Sequence, residues 1–268
     1  ALAGPMRVLK QGLFSTVPMA VQYLHNWGTS FSLMISTEIG DCPVKNWKGV
    51  GHRDFPKDLS KPLSGPNLLN WKTKSYGCFM CPVRCGAILK VPEADLEETH
   101  RVEYETLGTF GPLILNHDLT TIFKVNEYLN RVGLDSISAG GIVAFAVECF
   151  ENGLISTKQT KGMELRWGHA GYLMNLLKMI VNREEIGDIL ADGVKRAAEK
   201  IGKGSEKFAV HANGQELPMH DSRHTPSLAT TYVADPSPGR HTAASIDFME
   251  VGPIHKFLAG VEKPPKSK

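Results

Sequence analysis

The sequence predicts a mainly α protein. Three observations carry that expectation. Apolar residues recur at helical spacing from Asp118 onward, one long stretch is apolar nearly all round, and no segment alternates apolar with polar residues as a half-buried strand would. In chain order, Met19, Val21, Leu24 and Trp27 share a helical face, and Gly28-Thr29 stops that helix. From Gly40 to Pro66 the density of Gly, Pro, Asp and Lys predicts irregular surface structure. A cysteine-rich segment follows, then an acidic loop of Glu93, Asp95, Glu97 and Glu98. Asp118 is a good N-cap for a helix that repeats Leu119, Ile122, Phe123 and Leu129 and ends at Gly133. Ser136 to Phe150 predicts a helix buried in the middle of the protein, closed by Asn152-Gly153. Leu173, Leu176, Leu177 and Ile180 form a further stripe. Ile186, Ile189, Leu190, Gly193, Val194, Ala197 and Ala198 form another, closed by Gly202. From His211 to Gly239 Pro, His, Asp and Arg again fill the chain.

Composition narrows the function classes. The chain has 268 residues, enough to bury a full core in one or two domains. Its 30 Lys+Arg against 28 Asp+Glu, a net charge of +2, show no basic excess, which argues against a nucleic-acid partner. The longest apolar run, around Ile137 to Phe150, falls short of the roughly 20 residues a membrane span needs. The opening Ala-Leu-Ala-Gly-Pro does not read as a signal peptide; it reads as the interior of a longer chain. A globular cytoplasmic protein is expected.

Cys78-Phe-Met-Cys81-Pro-Val-Arg-Cys85 is a C-x2-C-x3-C cluster between Gly77 and Gly86. Two thiolates two residues apart can bite one metal centre while the third closes from the next turn. An iron–sulfur cluster and a structural zinc site both fit such a start, and each wants a fourth ligand. Of the remaining cysteines, Cys149 lies inside the apolar helix and reads as core, whereas Cys42 sits in a loop and is a candidate ligand.

At this point the chain resembles the tungsten-dependent aldehyde:ferredoxin oxidoreductases. Gly77-Cys78-x-x-Cys81-Pro-x-x-Cys85 looks like that family's cluster loop, and further segments agree in order. They are Pro43-Val-Lys-Asn46-Trp47, Glu103-Tyr104-Glu105-Thr106-Leu107, Gly133-Leu134-Asp135-Ser136-Ile137-Ser138, Asp192-Gly193-Val194-Lys195-Arg196-Ala197-Ala198, His211-Ala-Asn-Gly214-Gln-Glu216-Leu-Pro218 and Asp235-Pro-x-Pro-Gly239-Arg240-His241. The resemblance implies two helical domains, the family's second and third, here 1–180 with the cluster loop and pterin motif and an incomplete 181–268. It implies a tungsten (or molybdenum) ion held by two pterins and a [4Fe-4S] cluster nearby. The reaction implied is oxidation of an aldehyde to a carboxylic acid, with electrons passed to ferredoxin or an electron-transfer subunit. Some relatives instead reduce aromatic-ring thioesters, and a non-catalytic iron–sulfur or zinc-stabilised domain is the third reading.

Residue by residue, the resemblance makes Cys78, Cys81 and Cys85 the close cluster ligands. The family's fourth cysteine has no counterpart after Cys149. Leu134 and Asp135 match pterin-contacting positions, and a carboxylate there can accept the N–H donors of a pterin edge. Asn130 stands where the motif has Asp, so it keeps hydrogen bonding without the charge. Glu105, with Glu103 as the alternate, matches the glutamate beside the metal; in extended backbone the two would share a face. His211, with His220 as the alternate, matches a histidine near the metal. Glu105 would act as general base and His211 would donate to the developing oxyanion. The family's N-terminal β domain has no counterpart here, so this chain alone is expected not to turn over substrate.

Overall fold

The computed structural model describes residues 18–242 and a few scattered positions before them, Gly4, Arg7, Val8, Gln11, Gly12 and Ser15. The main elements are α1 (Pro18–Trp27), α2 (Leu33–Ile39), β1 (Lys72–Tyr76), β2 (Gly86–Val91), β3 (Leu96–His100), α3 (Tyr104–Phe110), α4 (Leu119–Val132) and α5 (Ser136–Glu151). They continue with α6 (Leu173–Asn182), α7 (Ile186–Leu190), α8 (Val194–Ile201), β4 (His211–Ala212), β5 (Gln215–Glu216) and α9 (Ser227–Ala234). The fold is mainly helical, as the periodicity predicts.

Helix α5 is the centre of the core. Every residue from Ile142 to Cys149 is buried, and all but Glu148 are apolar, because packed elements surround the helix. Its neighbour α3 comes so close that a Cβ added at Gly140 would lie 2.3 Å from the Cβ of Thr109. The caps match the residues that predict them. The Asp118 carboxylate accepts the amides of Thr120 and Thr121 at the start of α4. The Asp135 carboxylate accepts the Ser138 amide at the start of α5. Between them Gly133 takes φ 73°, a left-handed stop that glycine adopts without strain. One contiguous core joins Leu176 and Ile180 of α6 to Ile186, Leu190 and Val194 beyond them.

Three expectations are corrected. First, β1, β2 and β3 form an antiparallel sheet where no strand pattern was legible. The register slips between Lys72 and Lys74 and between Leu89 and Val91, which breaks the alternation. The acidic stretch expected as a loop is a turn at Asp95 (φ 58°) followed by β3. Second, residues 40–66 are not merely surface. Single-turn helices at Gly51–Asp54, Lys57–Ser60 and Gly65–Leu68 bury Phe55 and Leu63. Asn46 donates to Glu148 of α5 (2.6 Å) and to the carbonyl of Phe208 (2.9 Å). Third, the stripe from Ile186 to Ala198 is two helices, not one. Gly193 adopts φ 85°, and the buried Glu216 carboxylate accepts the Val194 amide at 2.8 Å, restarting the helix.

Candidate functional site

The cysteine motif is the hairpin loop between β1 and β2. A Cβ at Gly77 would lie 2.8 Å from Arg84 Cα, so that position must be bare, and one at Gly86 would lie 2.6 Å from the Tyr76 ring, which would have to shift. The Cys81 amide donates to the Cys78 carbonyl at 3.0 Å. Cys78 is exposed, and Cys81 and Cys85 are half-buried. The buried Arg101 holds the loop from beneath, donating to the carbonyls of Cys85 and, at 2.8 Å, of Asn26. His25 Nδ1 donates to the Val83 carbonyl at 2.6 Å.

The two glutamates do not share a face, because α3 begins between them. Glu103 is the extended N-cap residue (ψ 163°), and its carboxylate accepts the Thr29 hydroxyl. Glu105 lies one position into the helix and turns inward. Its Oε2 accepts the Met219 amide at 2.7 Å, while its Oε1 is buried without a hydrogen bond. That Oε1 faces His220 Nε2 at 3.7 Å and His241 Nε2 at 3.5 Å. Burial drives the Glu105 carboxyl up to about 7, against the opposing pull of His220 and of the Met219 amide. Burial, helped by His220, drives His241 down to about 4. Between about pH 4 and 7 the proton of this pair therefore sits on Glu105 rather than on His241. His220 is placed from three sides. Its Nδ1 donates to the Asp41 carboxylate (3.0 and 3.2 Å), its ring stacks on Tyr104 at 4.8 Å, and Tyr232 donates to its carbonyl at 2.6 Å.

A polar cavity of about 560 Å³ opens between these elements, lined by Tyr76, Arg101, Glu103, Glu105, Asn130, Asp135 and neighbours. It brings Asn130 and Asp135 together with Glu105 on a wall that continues into the strand leading to Cys78. Leu134 is 38 % exposed and does not line it. His211 is not beside Glu105: it stands in β4, and its Nδ1 accepts the Gly214 amide at 3.2 Å across the turn at Asn213. The alternate His220 takes the place next to the carboxylate, and so does His241, which the sequence reading passed over. Its only signal was membership of the Asp235–His241 segment. Asp41 had no signal at all. Cys42 is buried away from solvent, and burial pushes its thiol well up.

A family model described as aldehyde ferredoxin oxidoreductase, domains 2 and 3, matches residues 10–267. The chain belongs to the aldehyde ferredoxin oxidoreductase family. The tungsten-containing aldehyde ferredoxin oxidoreductase of Pyrococcus abyssi is 31% identical over 227 residues, 84% of this chain and 36% of that protein. An aliphatic sulfonate oxidoreductase, WOR-like subunit, of Pyrococcus furiosus is 30% identical over 242 residues, 82% of this chain. The chain thus spans about a third of the length of the curated aldehyde ferredoxin oxidoreductases and their kin (36%). The active site complex BamBC of benzoyl coenzyme A reductase, solved with 1,5-dienoyl-CoA, shares the fold. Its TM-score is 0.61 at 24% identity over 72% of this chain and 29% of that one. Among the described residues of this aldehyde ferredoxin oxidoreductase family member, no helix is long and apolar enough to cross a membrane.

Proposed function

We propose that this chain supplies the carboxylate, histidine and cluster-loop side of a tungstopterin and iron–sulfur oxidoreductase that converts an aldehyde to a carboxylic acid. One observation carries the reading: Glu105, poised near pH 7 and opposed by two imidazoles, shares a polar cavity with Asn130 and Asp135 beside the cysteine loop.

The residues present fit a pterin. Asn130 and Asp135 offer acceptors to ring N–H donors, Arg101 offers a buried cation with an unbonded Nε, and Glu105 Oε1 lacks a hydrogen bond. Cys78, Cys81 and Cys85 would hold three corners of a [4Fe-4S] cluster. When bound, the tungsten or molybdenum bis-pterin supplies the two-electron step, and the cluster passes electrons on to ferredoxin or an electron-transfer subunit. The chain's own residues manage the proton. Glu105 Oε1 takes a proton from the water or aldehyde hydrate that adds oxygen to the carbonyl carbon. A carboxyl near 7 does this efficiently because its ionised and protonated forms are both populated at working pH. His241, neutral because buried, turns Nε2 toward the same oxygen and can hydrogen-bond the oxygen that develops charge. His220, fixed in orientation by Asp41, stands on the other side of Oε1 to carry the proton away.

The test is turnover of the full-length protein on an aldehyde panel, read by viologen reduction, with an aromatic thioester and an aliphatic sulfonate included because such chemistries are named for similar proteins. Glu105→Gln is expected to lower aldehyde turnover by about 10² or more at unchanged tungsten content. Turnover confined to the thioester or the sulfonate would replace the aldehyde reading.

A further inference from the structure

We propose that Glu105, His220 and His241 form a binding site for a divalent transition-metal ion of the zinc class, in the protein that lacks its pterin. One ligand atom from each lies within 4.8 Å of the others, and among the described residues no other three His, Cys, Asp or Glu side chains meet in this way.

The geometry suits a metal better than it suits hydrogen bonds. Both histidine Nε2 atoms are directed at the same carboxylate oxygen, at 3.7 and 3.5 Å. Ligands of a tetrahedral ion with bonds of about 2.0–2.1 Å sit roughly 3.3–3.4 Å apart, so the two carboxylate–imidazole separations need only a small contraction, and the two imidazoles stand within 4.8 Å of each other. The Glu105 oxygen at the centre is buried and makes no hydrogen bond. Its partner oxygen is already bound to the Met219 amide, which leaves Oε1 as the ligand atom. Around His220 the arrangement is the one metal-binding histidines use: Nδ1 donates to the Asp41 carboxylate, which fixes the tautomer and directs Nε2 inward. Two imidazoles and one carboxylate are borderline ligands that favour Zn²⁺, Co²⁺ or Fe²⁺ over Mg²⁺ or Ca²⁺. Glu105 also lines the 560 Å³ cavity, which lies next to the three ligand atoms, although neither histidine lines it. On the redox reading above, the ion would hold the oxygen that takes the proton, and the two uses of the site exclude one another. Binding is therefore read directly and not through turnover.

The experiment is a cobalt titration of the full-length protein produced without tungsten or molybdenum. It carries Cys78→Ser, Cys81→Ser and Cys85→Ser, so that the thiolates contribute nothing. One equivalent of Co²⁺ should bind with the intense visible bands of a tetrahedral site and no sulfur charge-transfer band. Zn²⁺ should displace it. His241→Ala and His220→Ala should each weaken binding at least 100-fold, and Asp41→Asn by about 10–100-fold. X-ray absorption at the zinc edge of the same protein, needing no further variant, should show two imidazoles and oxygen. Binding that survives both histidine variants, an absorption spectrum without imidazole, or no binding below millimolar metal would overturn the proposal. Because none of these readouts uses an aldehyde, their failure would leave the redox reading standing.

Discussion

The opposed titrations of Glu105 and His241 should make the stability of the protein nearly independent of pH in the acid range, and removing one should expose the other. Glu105 ordinarily titrates at 4.5 and is held at about 7 here. Between those values the unfolded chain has released the proton and the native state keeps it, so stability falls as pH rises. At about 1.4 kcal/mol per pH unit the loss totals about 3 kcal/mol. His241 ordinarily titrates at 6.5 and is held at about 4. Between those values the unfolded chain is protonated and the native imidazole is not, so stability rises with pH, again by about 3 kcal/mol. Both side chains are less than a quarter exposed (19 and 23 %), so solvent screening does not erase either effect. The assay is urea unfolding of the full-length protein at half-unit steps from pH 4 to 8, followed by tryptophan fluorescence. Glu105→Gln, which resembles the protonated carboxyl and keeps an acceptor for the Met219 amide, should remove the falling slope. That variant should then gain about 3 kcal/mol between pH 4 and 6.5. His241→Gln should show the reverse, losing stability from pH 4.5 to 7. Parallel profiles for wild type and Glu105→Gln would refute the raised carboxyl and with it the claim that Glu105 is poised for proton transfer.

Other expectations concern single contacts. His241→Ala should cut turnover of the full-length enzyme by about 10² or more, whereas His211→Ala should leave it within a few-fold; the opposite ranking in steady-state kinetics would restore His211 as the working histidine. Cys81→Ser should abolish the broad visible absorption of an iron–sulfur cluster while far-ultraviolet circular dichroism stays helical, and stoichiometric zinc without iron after anaerobic purification would speak for the other metal. Gly140→Ala should destabilise by about 1–3 kcal/mol in urea unfolding, because its methyl would lie 2.3 Å from Thr109; an unchanged midpoint would mean α3 and α5 are less tightly apposed.

Local interactions made much of this fold legible. Asp118 and Asp135 cap their helices through their own side chains, and Gly133 stops one because no Cβ resists φ 73°. The stripes at Leu173–Ile180 and Val194–Ala198, and the nearly all-apolar helix α5, report how many faces each helix buries, and that information is carried by spacing alone. The sheet was hidden because its alternation is interrupted by two register slips and β1 is largely polar. The break at Gly193 was hidden because it depends on Glu216, 22 positions after the amide it caps.

The candidate site divides the same way. Cys78, Cys81 and Cys85 stand close together in the chain, so their joint chemistry was evident from order and spacing. Asn130 and Asp135 flank one turn, and the chain keeps them near each other without help. The choice between Glu103 and Glu105 was not local. Which of them turns inward depends on where α3 begins and on the Met219 amide, 114 positions away, that donates to the Glu105 carboxylate. The histidines were least accessible of all: Asp41, Glu105, His220 and His241 come from four separate segments. No spacing rule links them, because only the packing of α3 against the loops that carry Met219 and His241 brings their nitrogens and oxygens within reach. Proximity along the chain is written in the sequence, but burial and long-range contact, which set the proton affinities here, exist only once the chain has packed.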